Sequence, residues 1–240
     1  MITSPSNPRL RLVRRLGSRN QRERLGLFSC EGEDLVEAAL AAGLEPVELL
    51  VDAERPVSGL PDPEPVEPRL LAEISALAHP PRVIGVFRRA DLPRLSPRSS
   101  PPVGLALWHV ADPGNIGTLL RAADGLGPAF LALSPGCADP TGPKALRASA
   151  GAVFRVPTAR FDDAPGRRVA LLAHGGTPLA ELDLGDETTF VLGAEREGLS
   201  EDVVARCDES ATIPLQARAE SLNVGMAGTI ALYEWRRRGH

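Results

Sequence analysis

Asp112-Pro-Gly-Asn-Ile-Gly-Thr-Leu-Leu-Arg-Ala-Ala-Asp-Gly-Leu-Gly127, entered from Val103-Gly-Leu-Ala-Leu-Trp-His-Val110, decides the fold class of this 240-residue chain. The first eight residues are a buried-strand pattern, and Pro113-Gly114 is a turn. Ile116, Leu119, Leu120, Ala123 and Leu126 then fall at helical spacing before Gly127-Pro128 closes the helix. The same alternation continues downstream. Ala129–Leu133 reads as a strand, Lys144–Ala150 as a helix, and Val153–Val156, Val169–Ala173 and Phe190–Leu192 as strands. Ser200 opens a helix to Ala205 with Glu201 and Asp202 in its first turn, where the helix dipole favours acids. Thr212–Leu215 reads as a last strand and Asn223–Arg238 as a long last helix. Short apolar strands alternating with helices predict an α/β domain with a mainly parallel sheet covered on both faces.

Upstream, Asp91-Leu-Pro-Arg-Leu-Ser-Pro-Arg-Ser-Ser-Pro-Pro102 breaks the pattern. Prolines hold themselves and their predecessors extended, so a semi-rigid linker over 93–102 divides a 1–92 domain from a 103–240 domain. In the first domain Pro8–Leu16 reads as a basic helix, Leu25–Cys30 as a strand and Gly32–Ala42 as an amphipathic helix ended by Gly43. Val47–Val51 follows as a strand, Arg69–Ala78 as a helix and Val83–Phe87 as a strand, with Arg55–Pro68 a Pro-rich loop. That is a small α/β sandwich.

Composition excludes several classes. Apolar residues make up 43% and charged residues 24%, which supports a packed core and argues against disorder. No run of eighteen apolar residues exists, and the N-terminus lacks the apolar stretch of a secretory signal, so a soluble cytoplasmic protein without membrane contact is expected. Cys30, Cys137 and Cys207 lie far apart, and four histidines are scattered. Neither a disulfide framework nor a metal site is expected. The net charge of −4 argues against indiscriminate nucleic-acid binding, yet residues 1–24 hold Arg9, Arg11, Arg14, Arg15, Arg19, Arg22 and Arg24 against Glu23 alone. Such a block either tracks a phosphate backbone or is a solvated helix face.

Three segments of the second domain resist a purely structural account. In the first, Asn115 stands where it can cap the helix, and Arg121 is a guanidinium in an otherwise apolar helix, hard to bury unless it meets an anion or carboxylate. The second is Phe190-Val-Leu-Gly-Ala-Glu-Arg-Glu-Gly-Leu-Ser200, where Gly193 allows close backbone approach and Glu195 follows a strand end, the edge at which open α/β sheets bind ligands. An ordinary turn with Glu195 paired to Arg196 fits that segment too. The third runs from Ile213 to Ile230, with Ser221 or Asn223 as helix cap and Val224, Gly225, Ala227, Gly228 and Ala231 as a face of small residues.

The order, spacing and wording of DPGNIGTLLRAADGLG, FVLGAEREGLS and IPLQARAESLNVGMAGTIALYEW resemble the SpoU (TrmH-like) family of RNA ribose 2′-O-methyltransferases, in the SPOUT superfamily. KALRASAGAVFRVP (Lys144–Pro157), which contains Arg147, is similar too, and HPPRVIGVF (His79–Phe87) fits the ribosomal-protein-like RNA-binding domain of some members. The resemblance implies a trefoil-knotted C-terminal domain, S-adenosylmethionine as cofactor, and a pocket lined by Leu192, Gly193, Ile213, Leu215 and Leu222. It implies methyl transfer to a ribose 2′-hydroxyl, with ribosomal RNA favoured over transfer RNA by the extra N-terminal domain. Asn115, Arg121, Glu195, Ser221 and Asn223 become the catalytic set, and Arg9, Arg14, Arg15, Arg19, Arg22 and Arg147 the RNA-binding set. Arg121 matches the arginine to which deprotonation has been ascribed; a guanidinium stays protonated far above neutral pH, so clamping phosphate and steadying a developing alkoxide suit it better. The resemblance also implies a homodimer, and the last helix offers Gly225, Gly228 and Ala231 for close approach with Tyr233 and Trp235 as anchors. The alternative is a catalytically inactive RNA-binding or ribosome-assembly factor on the same fold. A nicotinamide-dependent enzyme would need a glycine fingerprint this chain lacks.

Overall fold

Two sheets organise the chain, which a computed structural model describes over residues 1–96, 100–216 and 219–239. The first unit holds α1 (Pro8–Leu16), α2 (Arg19–Leu25), β1 (Leu27–Glu31), α3 (Glu33–Ala41), β2 (Pro46–Asp52), β3 (Glu64–Val66), α4 (Pro68–Ile74) and β4 (Val83–Arg88). Its sheet has the order β1-β4-β2-β3, antiparallel except for β2–β3. Asn7 caps α1 by accepting the Arg9 amide at 2.9 Å, Pro8 starts the helix, and Leu10, Val13 and Leu16 form its buried stripe. The Pro-rich stretch after residue 55 is not all loop, since β3 pairs with β2 and Ile2 bridges to Val66. Helix α2 carries no apolar period in RNQRERL and so gave no sequence signal.

The second unit holds β5 (Val103–Leu107), α5 (Pro113–Leu126), β6 (Ala129–Leu133), α6 (Pro143–Ser149), β7 (Thr158–Arg160), β8 (Arg167–Leu172), β9 (Thr177–Pro178), β10 (Thr188–Leu192), α7 (Glu201–Val204), β11 (Glu209–Thr212) and α8 (Val224–Arg237). Its seven strands run in the order β7-β6-β5-β10-β8-β11-β9 with every pairing parallel. Leu105, Leu107, Phe190 and Leu192 pack on the side of α5 and α8; Ala106, Phe130, Val191 and Val203 form the core of the other face. Because β10 is inserted between β5 and β8, the strand order reverses there. The carboxyl ends of β5, β10, β8 and β11 then share one edge, the place where such sheets bind ligands.

Two expected strands differ. Val153–Val156 is a 3₁₀ turn over Ala152–Phe154, because Ala150 and Gly151 both take left-handed backbone and swing the chain off the extended path. The strand expected at Thr212–Leu215 ends at Thr212: Pro214 has no N–H to give a ladder, and β11 begins earlier, at Glu209. The linker is also less free than its composition implies. The Thr158 amide donates to Pro93 O at 3.1 Å and the Leu95 amide to Thr158 O at 3.0 Å, so residues 93–95 lie along β7 at the sheet edge. Residues 97–99 of that linker lie outside the described residues.

The units share one continuous core, with Phe28 and Phe154 rings 6.2 Å apart across the junction. Beside it Asp139 is buried under two arginines of the first unit: Arg22 Nε donates at 2.8 Å and Arg89 Nη1 at 3.1 Å. Burial alone would push the Asp139 carboxyl up. The Thr141 hydroxyl and amide and the two guanidiniums outweigh it and hold the carboxyl below its ordinary range.

Candidate active site

The β5–α5 turn starts the site. Asp112 caps α5, accepting the Gly114 amide at 2.8 Å and Lys144 Nζ at 2.9 Å, and the amide and the ammonium together keep its carboxyl below the usual carboxylate range. One turn on, Asn115 is almost fully buried. Asn223, immediately before α8, accepts the amides of Gly225 at 2.9 Å and Met226 at 3.3 Å on its Oδ1. Its amide nitrogen is thereby turned outward and donates to Asn115 Oδ1 at 3.1 Å. Asn115 in turn has only its NH2 left for Glu195, to whose Oε1 it donates at 2.5 Å. The free N–H groups of a helix start thus fix, through two side-chain amides, the position of one carboxylate. Asn115, Glu195 and Asn223 were expected at the site, and the structure brings the three into one hydrogen-bonded chain.

Glu195 also lines a cavity of about 590 Å³ at the carboxyl edge of the sheet. Leu192, Gly193, Ile213, Leu215 and Leu222, all expected from the sequence, line it, as does Ser221. Leu171, Leu172 and Ala173 line it too and were missed; their only sequence signal was that they end the apolar run read as a strand over Val169–Ala173. The loop after β10 closes on itself, with the Gly198 amide donating to Ala194 O at 2.9 Å. A Cβ at Gly193 would stand 2.1 Å from the Gly198 backbone, so this wall exists only with glycine there. Apolar side chains, exposed strand-end main chain and the carboxylates Glu195, Glu197 and Glu220 make a lining that fits an adenine ring, an amino-acid tail and a cationic sulfonium. The volume is that of an ordinary small-molecule site.

The arginines separate into groups. Arg121 is exposed, makes no hydrogen bond or ion pair among the described residues, and does not line the cavity of its own chain. Its helix is apolar on one side only, and Arg121 shares the outer side with Thr118. Arg22 does not belong with the RNA-binding set: its side chain is 6% exposed and spent on Asp139, Leu16 O and Gly17 O. Arg9 is turned toward Glu48 and Glu64, at 3.0 and 2.6 Å, so its charge is already answered. Arg14, Arg15, Arg19 and Arg147 are exposed. The small face of α8 does not await another subunit either. Gly228 lies against Leu119, Leu105 and Leu192, and Ala231 and Trp235 are buried in the chain's own core. No group of His, Cys, Asp and Glu among the described residues has the arrangement of a metal site, and no described helix is long and apolar enough to cross a membrane.

Residues 102–233 match the SpoU rRNA Methylase family, and residues 7–85 match the MRM3-like substrate binding domain. A 23S rRNA (uridine(2479)-2′-O)-methyltransferase of Streptomyces viridochromogenes is 30% identical over 91% of this chain and 85% of that protein. A 23S rRNA (guanosine(2553)-2′-O)-methyltransferase of Bacillus subtilis is 29% identical over 98% of each. The crystal structure of an AdoMet-bound rRNA methyltransferase from Sinorhizobium meliloti superimposes with a TM-score of 0.85 at 29% identity, covering 100% of this chain and 98% of that one. The amide chain at a reversal of strand order, the cavity beside it and these matches have one explanation: the chain belongs to the SpoU rRNA methylase family and is an RNA ribose 2′-O-methyltransferase that uses S-adenosylmethionine.

Proposed function

We propose that this protein methylates a ribose 2′-hydroxyl of ribosomal RNA in the cytoplasm, as a homodimer whose second domain is trefoil-knotted. The support for ribosomal RNA is that the relatives named above act on 23S RNA and that a substrate-binding module precedes the catalytic one. Those relatives modify a uridine and a guanosine, so the nucleotide itself does not transfer between them. Residues 1–92 hold the RNA and 103–240 carry the chemistry. For the knot, the support is that Ile213, Leu215, Ser221 and Leu222, which lie between β11 and α8, line the same cavity as the Gly193–Gly198 loop, while α8 packs on α5.

S-adenosylmethionine supplies an electrophilic methyl on sulfur when bound against Leu192, Ile213, Leu215 and Leu222. Glu195 is held ready by Asn115, and its second oxygen, which has no partner among the described residues, accepts the 2′-hydroxyl proton as the ribose oxygen attacks. Ser221 and Asn223 orient the ribose. Arg121 clamps the neighbouring phosphate, and since it stands outside its own cavity it does so for the partner's site. Support for a dimer over that face is that Met226, Ile230 and Tyr233 of α8 remain 57%, 36% and 55% exposed at helical spacing, beside the face bearing Arg121. The observation that carries the proposal is the Asn223–Asn115–Glu195 chain at the cavity mouth. The experiment is transfer of label from methyl-labelled S-adenosylmethionine to unmodified rRNA and to tRNA. Label in rRNA alone supports it, and label in tRNA alone refutes it.

A further inference from the structure

His109 has features that neither the cofactor cavity nor the amide chain uses. It follows β5 at the carboxyl edge of the sheet and holds left-handed backbone, φ 55°, although it carries a side chain. Such backbone is costly for residues other than glycine and persists where surrounding contacts impose it, often at functional sites. Here the contacts are plain. The Trp108 amide donates to Leu192 O at 2.8 Å and the His109 amide to Ser134 Oγ at 2.9 Å, tying the two residues to the ends of β10 and β6. The result is an imidazole laid on the Trp108 indole, with ring centroids 4.6 Å apart and planes 14° apart. Trp108 is itself braced from beneath by Phe161 at 5.0 Å. His109 is exposed, and its ring has no hydrogen-bond partner and no other ring contact among the described residues. A flat aromatic stack is therefore held open to solvent at the expense of backbone strain.

What surrounds it indicates its occupant. On one side Gly136 lies against the His109 ring edge, and the carbonyl of the next residue, Cys137, accepts Arg19 Nη1 at 2.8 Å. Arg19 also pairs with Glu23 at 2.8 Å, while behind it Arg15 and Arg24 converge on a single neutral acceptor, Gln21 Oε1, at 3.2 and 2.8 Å. On the other side, the chain runs on through the α5 cap Asp112 to Asn115, the middle member of the Asn223–Asn115–Glu195 chain. A basic strip, an exposed stacked ring and the active-site carboxylate thus follow one another along a single edge. Bases splayed from RNA stack on aromatic rings while their phosphates meet arginines.

We propose that His109, backed by Trp108, is a stacking platform for an RNA base on the path from Arg15 and Arg24 to Glu195, making it a substrate-positioning residue of this methyltransferase. The proposal rests on the ribosomal-RNA reading above. Stacking and phosphate contacts leave different marks on salt dependence: lost phosphate contacts lower the slope of log affinity against log salt, whereas a lost stack shifts the line without tilting it. The experiment measures binding of a fluorescein-labelled, unmodified 23S rRNA transcript across a salt series, with S-adenosylmethionine affinity by calorimetry alongside. His109→Gly suits the left-handed backbone and so keeps the fold. It is expected to bind the transcript about tenfold more weakly at every salt concentration with the wild-type slope, and to bind S-adenosylmethionine normally. His109→Phe restores the affinity to within about twofold, and Arg15→Ala lowers the slope instead. Wild-type affinity in His109→Gly, or failure of His109→Phe to improve on it, overturns the stacking role while leaving the ribosomal-RNA reading intact. A wild-type protein that does not bind the transcript overturns both.

Discussion

Asn115 works in one orientation only, because Asn223 offers it a donor and Glu195 an acceptor. Asn115→Asp would set a second carboxylate against Glu195 and remove the donor that holds it. Methyl transfer should fall by roughly 10²-fold or more while the affinity for S-adenosylmethionine stays near wild type, read by single-turnover kinetics and calorimetry. Glu195→Gln should cost roughly 10²–10⁴ in kcat, the usual worth of a general base, read by single-turnover methyl transfer. A wild-type rate in that variant would remove Glu195 from proton transfer. At this scale the sequence was informative where side-chain chemistry was unusual for its place: Asn115, Glu195 and Asn223 stood out as polar residues at element ends. It was uninformative where burial decided the role. Arg22 and Arg14 belong to one run of arginines, yet the first is sealed on Asp139 and the second is exposed, and nothing local distinguishes them.

Helix α8 connects chemistry to packing. Its capping residue starts the catalytic amide chain, while Gly228 lets it approach so closely that a Cβ there would stand 2.4 Å from Leu119 Cδ2. Gly228→Val should therefore cost about 1–3 kcal/mol of unfolding free energy, as overpacking does, measured by urea denaturation. The glycine spacing was legible as a demand for close approach, but spacing cannot name the partner, and the partner is α5 of the same chain. Strand boundaries were less legible. β11 begins in Asp-Glu-Ser because Arg167 pairs with Glu209 and the Arg168 amide donates to Asp208 Oδ2 at 2.7 Å, contacts from a strand forty residues away. The small β7 and β9 strands exist only through their neighbours, so no local period marks them.

Across the whole molecule, Asp139 fastens the first unit to the second. Its carboxyl titrates below the ordinary carboxylate value, so the stability it contributes is present above about pH 4, the unfolded value, and is lost as pH falls through the folded one. Asp139→Asn leaves Arg22 buried without its counter-ion and should destabilise the protein by about 3–5 kcal/mol. The difference in melting temperature from wild type should hold constant between pH 5 and 8 and shrink below about pH 4. A difference that persisted unchanged in acid would mean that charge is not what Asp139 supplies. The exposed α8 face should hold two subunits together. Tyr233→Glu is expected to give a monomer by light scattering, and a wild-type protein monomeric at low micromolar concentration would contradict the dimer. The alternation of strand and helix made the sheet legible from sequence, but the junction was not, since it joins residues 50 and 117 positions apart. The central claim is that the methyl group goes to a ribose oxygen, and the most direct measurement is alkaline hydrolysis of rRNA methylated by the purified protein with labelled S-adenosylmethionine. Label confined to an alkali-resistant dinucleotide is the predicted result, because a methylated 2′-oxygen cannot attack the adjacent phosphate; label released in mononucleotides would place the methyl on a base and contradict the account.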